Sequence, residues 1–211
     1  MTDRSAEALA AELRSLAGGP ADGVWEGPGR VNLIGEHTDY NGGLALPFAL
    51  DRSTTVAVRR RPDRRWRCWS HQQSSCGWPP APVVAELDQL EPAVTQGWAR
   101  YAFGVAWAVA RAGVEVPGAD MLVDSTVPVG SGLSSSAALT TAVAVAVDDL
   151  TGGHLGAQRL VSVCHEAEAG FVGAPVGTLD QRAALLASPG HALFIDFASD
   201  TTETVPLAGV G

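Results

Sequence analysis

A glycine-rich loop runs directly into a long apolar helix, and this junction constrains the fold more than any other part of the chain. Val127–Leu139 reads VPVGSGLSSSAAL, with Gly130 and Gly132 in the loop and Ser134–Ser136 where the helix begins. The helix predicted over Ser135–Asp149 is apolar on every side, so it must be buried between other elements. The junction therefore predicts a layered domain in which helices pack on a sheet.

The loop itself has the chemistry of an anion site. Glycines let backbone N–H groups approach an anion closely, and a helix N-terminus adds unpaired N–H groups and a positive dipole end. The residues that we predict to hold phosphate groups are Gly130, Ser131, Gly132, Leu133, Ser134, Ser135 and Ser136. The loop lacks the Gly-Lys-Ser/Thr of a Walker loop and the third glycine of a dinucleotide turn. Taken alone, a glycine turn with a serine N-cap explains it equally well.

A second polar cluster lies upstream, between glycines. The sequence GRVNLIGEHTDYNGG at residues 29–43 supplies carboxylate, imidazole, hydroxyl and amide groups. A polyhydroxylated ligand needs several such hydrogen-bonding partners converging on it. Arg30 is the one cation there, and it suits a phosphoryl group or a carboxylate. Metal binding by Glu36, His37 and Asp39 and a plain polar hairpin are the alternatives.

Two further acidic residues are candidates for chemistry. Asp180 follows a loop rich in Gly and Pro, at the predicted start of a helix. Such an acid either stabilises the helix N-terminus or accepts a hydroxyl proton during phosphate transfer. Glu168 lies on the preceding predicted helix, Leu155–Ala169, and could complete a Mg²⁺ site with a serine. A solvated helix acid is the alternative for Glu168.

Elsewhere the sequence predicts mainly strands first and helices later. A short strand is predicted to begin at Val24–Trp25 and run into the Gly-rich stretch Gly27–Gly43. Further strands are predicted at Leu44–Leu50, Thr54–Arg60, Trp66–Ser70, Ala119–Asp124 and Ala192–Phe197. Further helices are predicted at Asp3–Leu16, at Trp98–Ala112 and from Thr178. Because there is no regular alternation of strand and helix, the α+β class is favoured over a doubly wound sheet. Gln72–Pro92 is rich in Pro, Ser and Gly, which predicts a surface loop.

The composition of the chain argues against several classes of binding partner. The chain is 46% hydrophobic with a formal net charge of −9, which argues against disorder, nucleic-acid binding and attachment to anionic membranes. Arg59–Arg67 is the one basic stretch, and we interpret it as a solvated strand end and turn. The three cysteines lack paired spacing, which predicts neither a disulfide framework nor a zinc site and favours a reducing, cytoplasmic compartment. No secretory leader or membrane span is expected.

In combination, the polar cluster, the loop and the acidic segment resemble the galactokinases of the GHMP kinase family. GRVNLIGEHTDYNGG resembles their signature, PVGSGLSSSAA their phosphate loop, and EAEAGFVGAPVGTLDQ their catalytic segment. The resemblance runs from about Trp25 to Phe197 and implies an α+β domain of the ribosomal protein S5 domain 2-like type, with a mixed sheet and packed helices. It implies an N-terminal helix and lead-in at 1–24, this domain at 25–200, and the start of a C-terminal domain at 201–211.

The resemblance also implies a role for individual residues. Glu36, His37, Thr38, Asp39 and Gly177 would bind galactose, and Asp180 would both contact the sugar and take the proton of its C1 hydroxyl. Arg30 would stabilise the moving phosphoryl group and keep Asp180 ionised. The loop Gly130–Ser136 would hold the phosphates of ATP, and Ser136 and Glu168 would ligate Mg²⁺. The implied protein is a monomeric cytoplasmic kinase that produces galactose 1-phosphate.

The resemblance is incomplete at the end of the chain. Family members continue with another Gly-rich motif and a C-terminal domain that closes the cleft, so the 211 residues would correspond to little more than half of such an enzyme. Leu179 replaces the usual Met before the catalytic Asp, a change that conserves volume. The alternatives are a GHMP kinase for another sugar, such as N-acetylgalactosamine, and a truncated module that binds sugar and ATP without turnover.

Overall fold

The structure, a computed structural model that describes residues 4–76, 80–92 and 97–207, contains two sheets and five α-helices. The α-helices are α1 (Ala6–Ala17), α2 (Ala99–Arg111), α3 (Ser135–Leu150), α4 (Gly156–His165) and α5 (Leu179–Leu186). The strands are β1 (Gly23–Asn32), β2 (Leu44–Ala45), β3 (Pro47–Arg61), β4 (Arg65–Ser70), β5 (Val83–Glu86), β6 (Gly118–Ser125), β7 (His191–Asp196) and β8 (Thr201–Pro206). Two 3₁₀ turns cover His71–Cys76 and Leu87–Gln89, and a π-helix, Glu166–Val172, continues α4.

The larger sheet is mixed. Its strand order is β1-β3-β6-β4-β5, and each neighbouring pair is antiparallel except β4 and β6. The smaller sheet, in the order β2-β7-β8, is antiparallel. This arrangement confirms the predicted α+β class, with a mixed sheet and packed helices.

Alternating side chains of the central strands supply cores on both faces of the larger sheet. Val56 and Val58 belong to the main core, which they share with α2, α3 and α4. Ala57, between them, points to the opposite face, where it packs in a small core with Leu9 and Leu13 of α1. Helix α1 therefore covers one face of the sheet and the remaining α-helices pack on the other.

Helix α3 is buried as predicted, and its backbone lies against β1. A Cβ atom on Gly27 would stand only 2.3 Å from the carbonyl oxygen of Ala138, so no larger residue fits there without displacing the helix. The close approach fixes the N-terminus of α3 relative to β1. As a result, the loop before α3 reaches the end of β1, where the backbone N–H of Arg30 donates to the carbonyl oxygen of Leu133 at 3.3 Å.

The strand predictions were wrong in three places. Leu44–Leu50 and Thr54–Arg60 are not two strands joined by a turn, because β3 runs unbroken from Pro47 to Arg61 and its register shifts opposite Gly29 instead. The predicted surface loop Gln72–Pro92 contains β5, which pairs with β4. Strand β1 continues to Asn32, well beyond the short strand predicted at its start.

Two differences concern the second half of the chain. The helix predicted over Leu155–Ala169 changes at Glu166 into the π-helix and extends to Val172. Thr201–Pro206 forms β8, which the sequence did not predict, and pairs with β7. The domain boundary at residue 200 stays a prediction.

The basic stretch Arg59–Arg67 is the end of β3, a turn and the start of β4, as interpreted. Its arginines are not simply solvated, because Arg59, Arg61 and Arg67 each form an ion pair with Asp120. The carboxylate of Asp120 is fully buried on β6. The arginines thus have a structural partner inside the domain.

The described part of the chain contains two buried cysteines with free thiols, Cys68 and Cys164. Burial raises the pKa of both thiols, so they stay protonated at neutral pH. The side chain of Cys76 lies outside the described part. None of the helices described here is long and apolar enough to cross a membrane.

Candidate active site

Asp180, at the start of α5, is held by two residues from distant parts of the chain. Arg30 donates its Nε–H to Oδ1 of Asp180 at 2.7 Å, and its Nη2 lies 2.6 Å from the same oxygen. Ser134 donates its hydroxyl to the other oxygen, Oδ2, at 2.5 Å. The Arg30 and Asp180 side chains are 13% and 26% exposed, so solvent screens this ion pair less than one on the open surface. One carboxylate thus joins β1, the glycine-rich loop and α5.

Arg30 also fastens the glycine-rich loop. Its Nη1 donates to the carbonyl oxygen of Gly132 at 2.9 Å, in addition to the backbone bond to Leu133. A Cβ atom on the preceding residue, Gly29, would stand 2.9 Å from that same Leu133 oxygen. The predicted phosphate loop and the signature segment therefore form one packed unit.

The loop leaves the N-terminus of α3 without a side-chain cap. Gly130 and Gly132 have φ of +75° and +76°, values that glycine adopts without strain. Ser134 occupies the N-cap position, yet its φ is also positive and its hydroxyl makes no capping bond. The glycine turn of the alternative interpretation is therefore present, but the serine N-cap that it also requires is not. The first N–H groups of α3 remain available to an anion.

Glu168 lies on the π-helix and is buried, with 2% of its surface exposed. Its Oε1 accepts hydrogen bonds from Thr140 Oγ1 at 3.0 Å and from Gln181 Nε2 at 2.9 Å. Burial raises the pKa of Glu168, and hydrogen bonds from Gln181, Ser136 and Thr140 oppose that rise. Because the carboxylate is buried, the alternative of a solvated helix acid is wrong. A π-helix at a functional site is common, since it turns one side chain out of the α-helical register.

The residues around Glu168 fit Mg²⁺. Among the described residues, no three His, Cys, Asp or Glu side chains lie together, so the protein offers no complete metal cage. Glu36, His37 and Asp39 likewise form no such group, and the metal-site alternative for them gains no support. Mg²⁺ is usually bound by one or two carboxylates together with substrate phosphates. A single buried carboxylate hydrogen-bonded to Ser136 at the start of α3 matches that requirement.

The predicted sugar-binding segment meets the segment before α5 at Asp39. The Oδ2 atom of Asp39 accepts the backbone N–H of Leu179 at 3.4 Å. A Cβ atom on Gly177 would stand only 2.2 Å from the same oxygen, so any side chain there would push Asp39 away. The structure therefore brings Asp39 and Gly177 together, close to Asp180.

The other predicted sugar ligands are placed less tightly. Thr38 Oγ1 donates to the carbonyl oxygen of Gly35 at 2.8 Å and stabilises the turn. His37 is exposed, with a φ of +62°, and its Nδ1 lies 2.7 Å from the hydroxyl of Tyr40. Glu36 is also exposed, and it has no hydrogen bond among those between described residues. Asn32, which the prediction of site residues missed, has a buried side-chain amide whose N and O atoms lack a partner in the described part of the chain.

A cavity of about 430 Å³, which no sequence pattern predicted, opens beside the glycine-rich loop. Its walls include apolar and aromatic groups together with two serines of the loop, and comprise Trp98, Tyr101, Leu139, Val129, Ser135 and Ser136 among others. Trp98 Nε1 is a buried donor, and Gln73 Oε1 a buried acceptor, that lack a partner in the described structure. The cavity therefore combines apolar and aromatic walls with unpaired polar atoms.

We expect Glu168→Gln to stabilise the chain in the absence of metal and nucleotide. The raised pKa of Glu168 means that folding disfavours its charged form. The stability that this group contributes is present at acid pH, where it is protonated, and is lost as pH rises through its folded pKa. The neutral amide avoids that loss, so the free energy of unfolding should increase by about 1 kcal/mol at mildly alkaline pH.

Urea unfolding of both proteins at mildly alkaline and at acid pH measures this effect. The difference should shrink toward acid pH, where Glu168 itself becomes neutral. Glu203→Gln, which alters an exposed carboxylate on β8, is the matched control and should leave stability unchanged. A Glu168→Gln chain less stable than the wild type at both pH values would contradict the expectation.

Two family descriptions match the chain. Residues 12–60 match the Galactokinase galactose-binding signature, and residues 100–188 match the GHMP kinases N terminal domain. The galactokinase of Streptomyces coelicolor is 43% identical over 206 residues, which cover 98% of this chain and 52% of that protein. The galactokinase of Mycobacterium tuberculosis is 44% identical over 178 residues, 84% of this chain and 47% of the relative. The chain thus spans about half the length of these curated relatives.

Solved structures show the same likeness in three dimensions. Lactococcus lactis galactokinase, crystallised with galactose, has a TM-score of 0.86 at 32% identity, covering 95% of this chain and 51% of that one. Methanococcus jannaschii mevalonate kinase has a TM-score of 0.69 at 18% identity, a likeness of fold alone. Since the two family matches agree with the galactokinase relatives, which cover up to 98% of the chain, it belongs to the GHMP kinase family and groups with the galactokinases.

Proposed function

We propose that this chain supplies the sugar- and nucleotide-binding residues of a kinase that transfers the γ-phosphoryl group of ATP to the C1 hydroxyl of galactose. The observation that carries the proposal is the contact of Asp180 with both Arg30 and Ser134. That contact joins the galactose-signature segment, the phosphate loop and the catalytic segment at one carboxylate. Because the chain spans about half of its relatives, the activity of the whole protein is part of the proposal.

Asp180 is the group that we assign to the sugar hydroxyl. Its Oδ1 is occupied by the guanidinium of Arg30, whereas Oδ2 accepts a single hydrogen bond and keeps a lone pair free. Oδ2 is therefore the atom that would orient the C1 hydroxyl and accept its proton. The Arg30 guanidinium beside it would offset negative charge on the phosphoryl group during transfer.

The sugar would lie against the loop at residues 29–43. Asp39, held by Leu179 and Gly177, offers a fixed carboxylate next to Asp180. Asn32 adds an amide with an unpaired donor and an unpaired acceptor, which is what a ring hydroxyl needs. Glu36, His37 and Thr38 would contribute further contacts to sugar hydroxyls, and the side chains of Glu36 and His37 are exposed.

The nucleotide would occupy the cavity and the loop together. The apolar and aromatic walls formed by Trp98, Tyr101 and Leu139 suit a purine ring. Trp98 Nε1 and Gln73 Oε1 offer the donor and the acceptor that the edge of adenine requires. The phosphates would then reach the uncapped N-terminus of α3, close to Asp180.

Mg²⁺ would be held by Glu168 and Ser136 together with phosphate oxygens. When bound, the ion would neutralise phosphate charge during transfer. Thr140 and Gln181 hold the Glu168 carboxylate in place through hydrogen bonds to its Oε1 atom. We also propose that the protein is cytoplasmic and monomeric. The buried free thiols of Cys68 and Cys164 support a reducing compartment.

The purified chain, mixed with ATP, Mg²⁺ and one sugar at a time, tests the proposal. Phosphorus NMR detects a sugar 1-phosphate directly, and isothermal titration calorimetry measures binding of galactose and of ATP separately. Product with galactose and none with glucose is the expected result. Product only with N-acetylgalactosamine would move the proposal to the related sugar. Binding of both ligands without product would favour a non-catalytic module, and binding of neither would overturn the proposal.

A further inference from the structure

We propose that Ser134 is a positioning residue for Asp180 rather than a ligand of the ATP phosphates, an inference that rests on the proposed function. Although Ser134 lies within the phosphate loop, its hydroxyl makes no capping bond to the helix that it precedes. It donates to Asp180 Oδ2 at 2.5 Å. The loop would then do two things at once, since it binds phosphate and sets the orientation of the base.

The backbone of Ser134 supports this role. Its φ of 56° and ψ of 49° place it in the left-handed helical region, which disfavours residues with a Cβ atom. Glycine occupies the same region without strain at two other positions of the loop, Gly130 and Gly132. A strained residue that persists beside reacting groups points to a function for its side chain. A glycine at position 134 could not make the side-chain contact with Asp180 that Ser134 makes.

Donor counting argues against a phosphate contact. A serine hydroxyl has one hydrogen, and that of Ser134 is donated to Asp180. An ATP phosphate oxygen is an acceptor and needs a donor, so Ser134 cannot serve both groups together. Ser135 lines the cavity and remains free to meet the phosphates, as do the uncapped N–H groups of α3.

Ser134 and Arg30 together fix the orientation of the carboxylate. The torsion that turns an Asp carboxylate is broad and roughly two-fold, so a single contact leaves it loosely set. Arg30 holds Oδ1 and Ser134 holds Oδ2, which determines which oxygen faces the sugar. Arg30 also holds the loop through the carbonyl oxygen of Gly132. The hydrogen bonds among Arg30, Asp180 and Ser134, together with the backbone from Gly132 to Ser134, therefore form a closed ring.

Calorimetric titration of four proteins, with galactose and with ATP in turn, tests the inference. The proteins are the wild type, Ser134→Ala, Asp180→Asn and the double variant. Loss of the Ser134 bond should weaken galactose binding about fivefold and change ATP binding less than about twofold. In the Asp180→Asn background, Ser134→Ala should cause no further loss of galactose affinity. Ser162→Ala, which removes an exposed hydroxyl bonded only to its own helix, should change neither affinity.

Ser134→Gly separates positioning from simple structural support. Glycine relieves the strain of the left-handed backbone, so this variant should melt at a higher temperature than Ser134→Ala. A positioning role predicts the same loss of galactose affinity in both variants in spite of that difference. If galactose affinity instead follows the melting temperature, the proposed role is wrong.

A weakening of ATP binding by Ser134→Ala, with galactose binding unchanged, would also overturn the inference. A wild-type chain that binds neither ligand would count against the proposed function. In that case the melting temperatures of the four ligand-free proteins test the contact between Ser134 and Asp180. Additive shifts for the single and double variants would overturn it, whereas non-additive shifts would support it.

Discussion

Asp180→Asn is expected to lower the rate of galactose-dependent ADP formation by about 100- to 10,000-fold, the usual contribution of a general base. Asparagine keeps the size of the side chain but cannot take a proton from the sugar hydroxyl. It also replaces the ion pair of Asp180 with Arg30 by a weaker contact, so the guanidinium loses the partner that holds it beside the loop. Both effects act on phosphoryl transfer, and only the second affects folding.

Steady-state rates at saturating ATP and galactose measure this loss. Asp88→Asn is the matched control, because it makes the same chemical change in an exposed ion pair with Arg64, and it should leave the rate unchanged. Thermal unfolding of both variants shows whether the fold is retained. A variant at position 180 that keeps more than about a tenth of the wild-type rate would contradict a role as base.

The sequence located the three segments of the site but not their contacts. The glycine-rich loop, the polar cluster and the acid at Asp180 were each visible as local patterns, and the structure brings Arg30, Gly132 and Asp180 together. The roles assigned to these residues stay predictions. No local pattern could show that the hydroxyl of Ser134 contacts Asp180, because the contact depends on the left-handed backbone conformation of Ser134 and on the tertiary position of α5.

The cavity beside the glycine-rich loop shows a different limit of sequence analysis. Gln73 and Trp98 lie far apart in the sequence and come from a 3₁₀ turn and the start of α2, so no spacing rule connects them. Only the packing of α2 beside the sheet brings their side chains to one cavity. Tertiary contacts of this kind carry no periodic signal in the chain.

The fold was predictable where an element has its own hydrophobic period. Helices α1, α2 and α3 were predicted nearly to their ends because their apolar residues recur at helical spacing or fill every side. Strands β5 and β8 were missed because they lie at sheet edges, are short, and carry partly or fully exposed residues. Their Val and Thr residues favour strands, but no regular alternation of apolar and polar residues marks them.

The basic stretch Arg59–Arg67 depends on a buried carboxylate, that of Asp120, which the sequence pattern did not indicate. The Asp120 carboxylate is fully buried on β6 and contacts three arginines. Arg59 Nη1 lies 3.2 Å from Oδ2, whereas Arg61 Nη1 and Arg67 Nε lie 3.1 Å and 2.5 Å from Oδ1. The arginines come from β3 and β4, the two strands that flank β6. One carboxylate therefore neutralises part of the charge of three guanidinium groups at the centre of the sheet.

Asp120→Asn is expected to lower the free energy of unfolding by about 3–5 kcal/mol, the usual cost of removing one partner from a buried ion pair. The amide keeps the shape of the side chain but leaves three neighbouring guanidinium groups without their shared counter-charge, so they repel one another. Urea unfolding at neutral pH, followed by tryptophan fluorescence, measures the loss. Asp124→Asn, on the same strand and paired with the more exposed Arg4, should cost about 1 kcal/mol or less. Equal losses for the two variants would show that the three arginines are held by solvent rather than by Asp120.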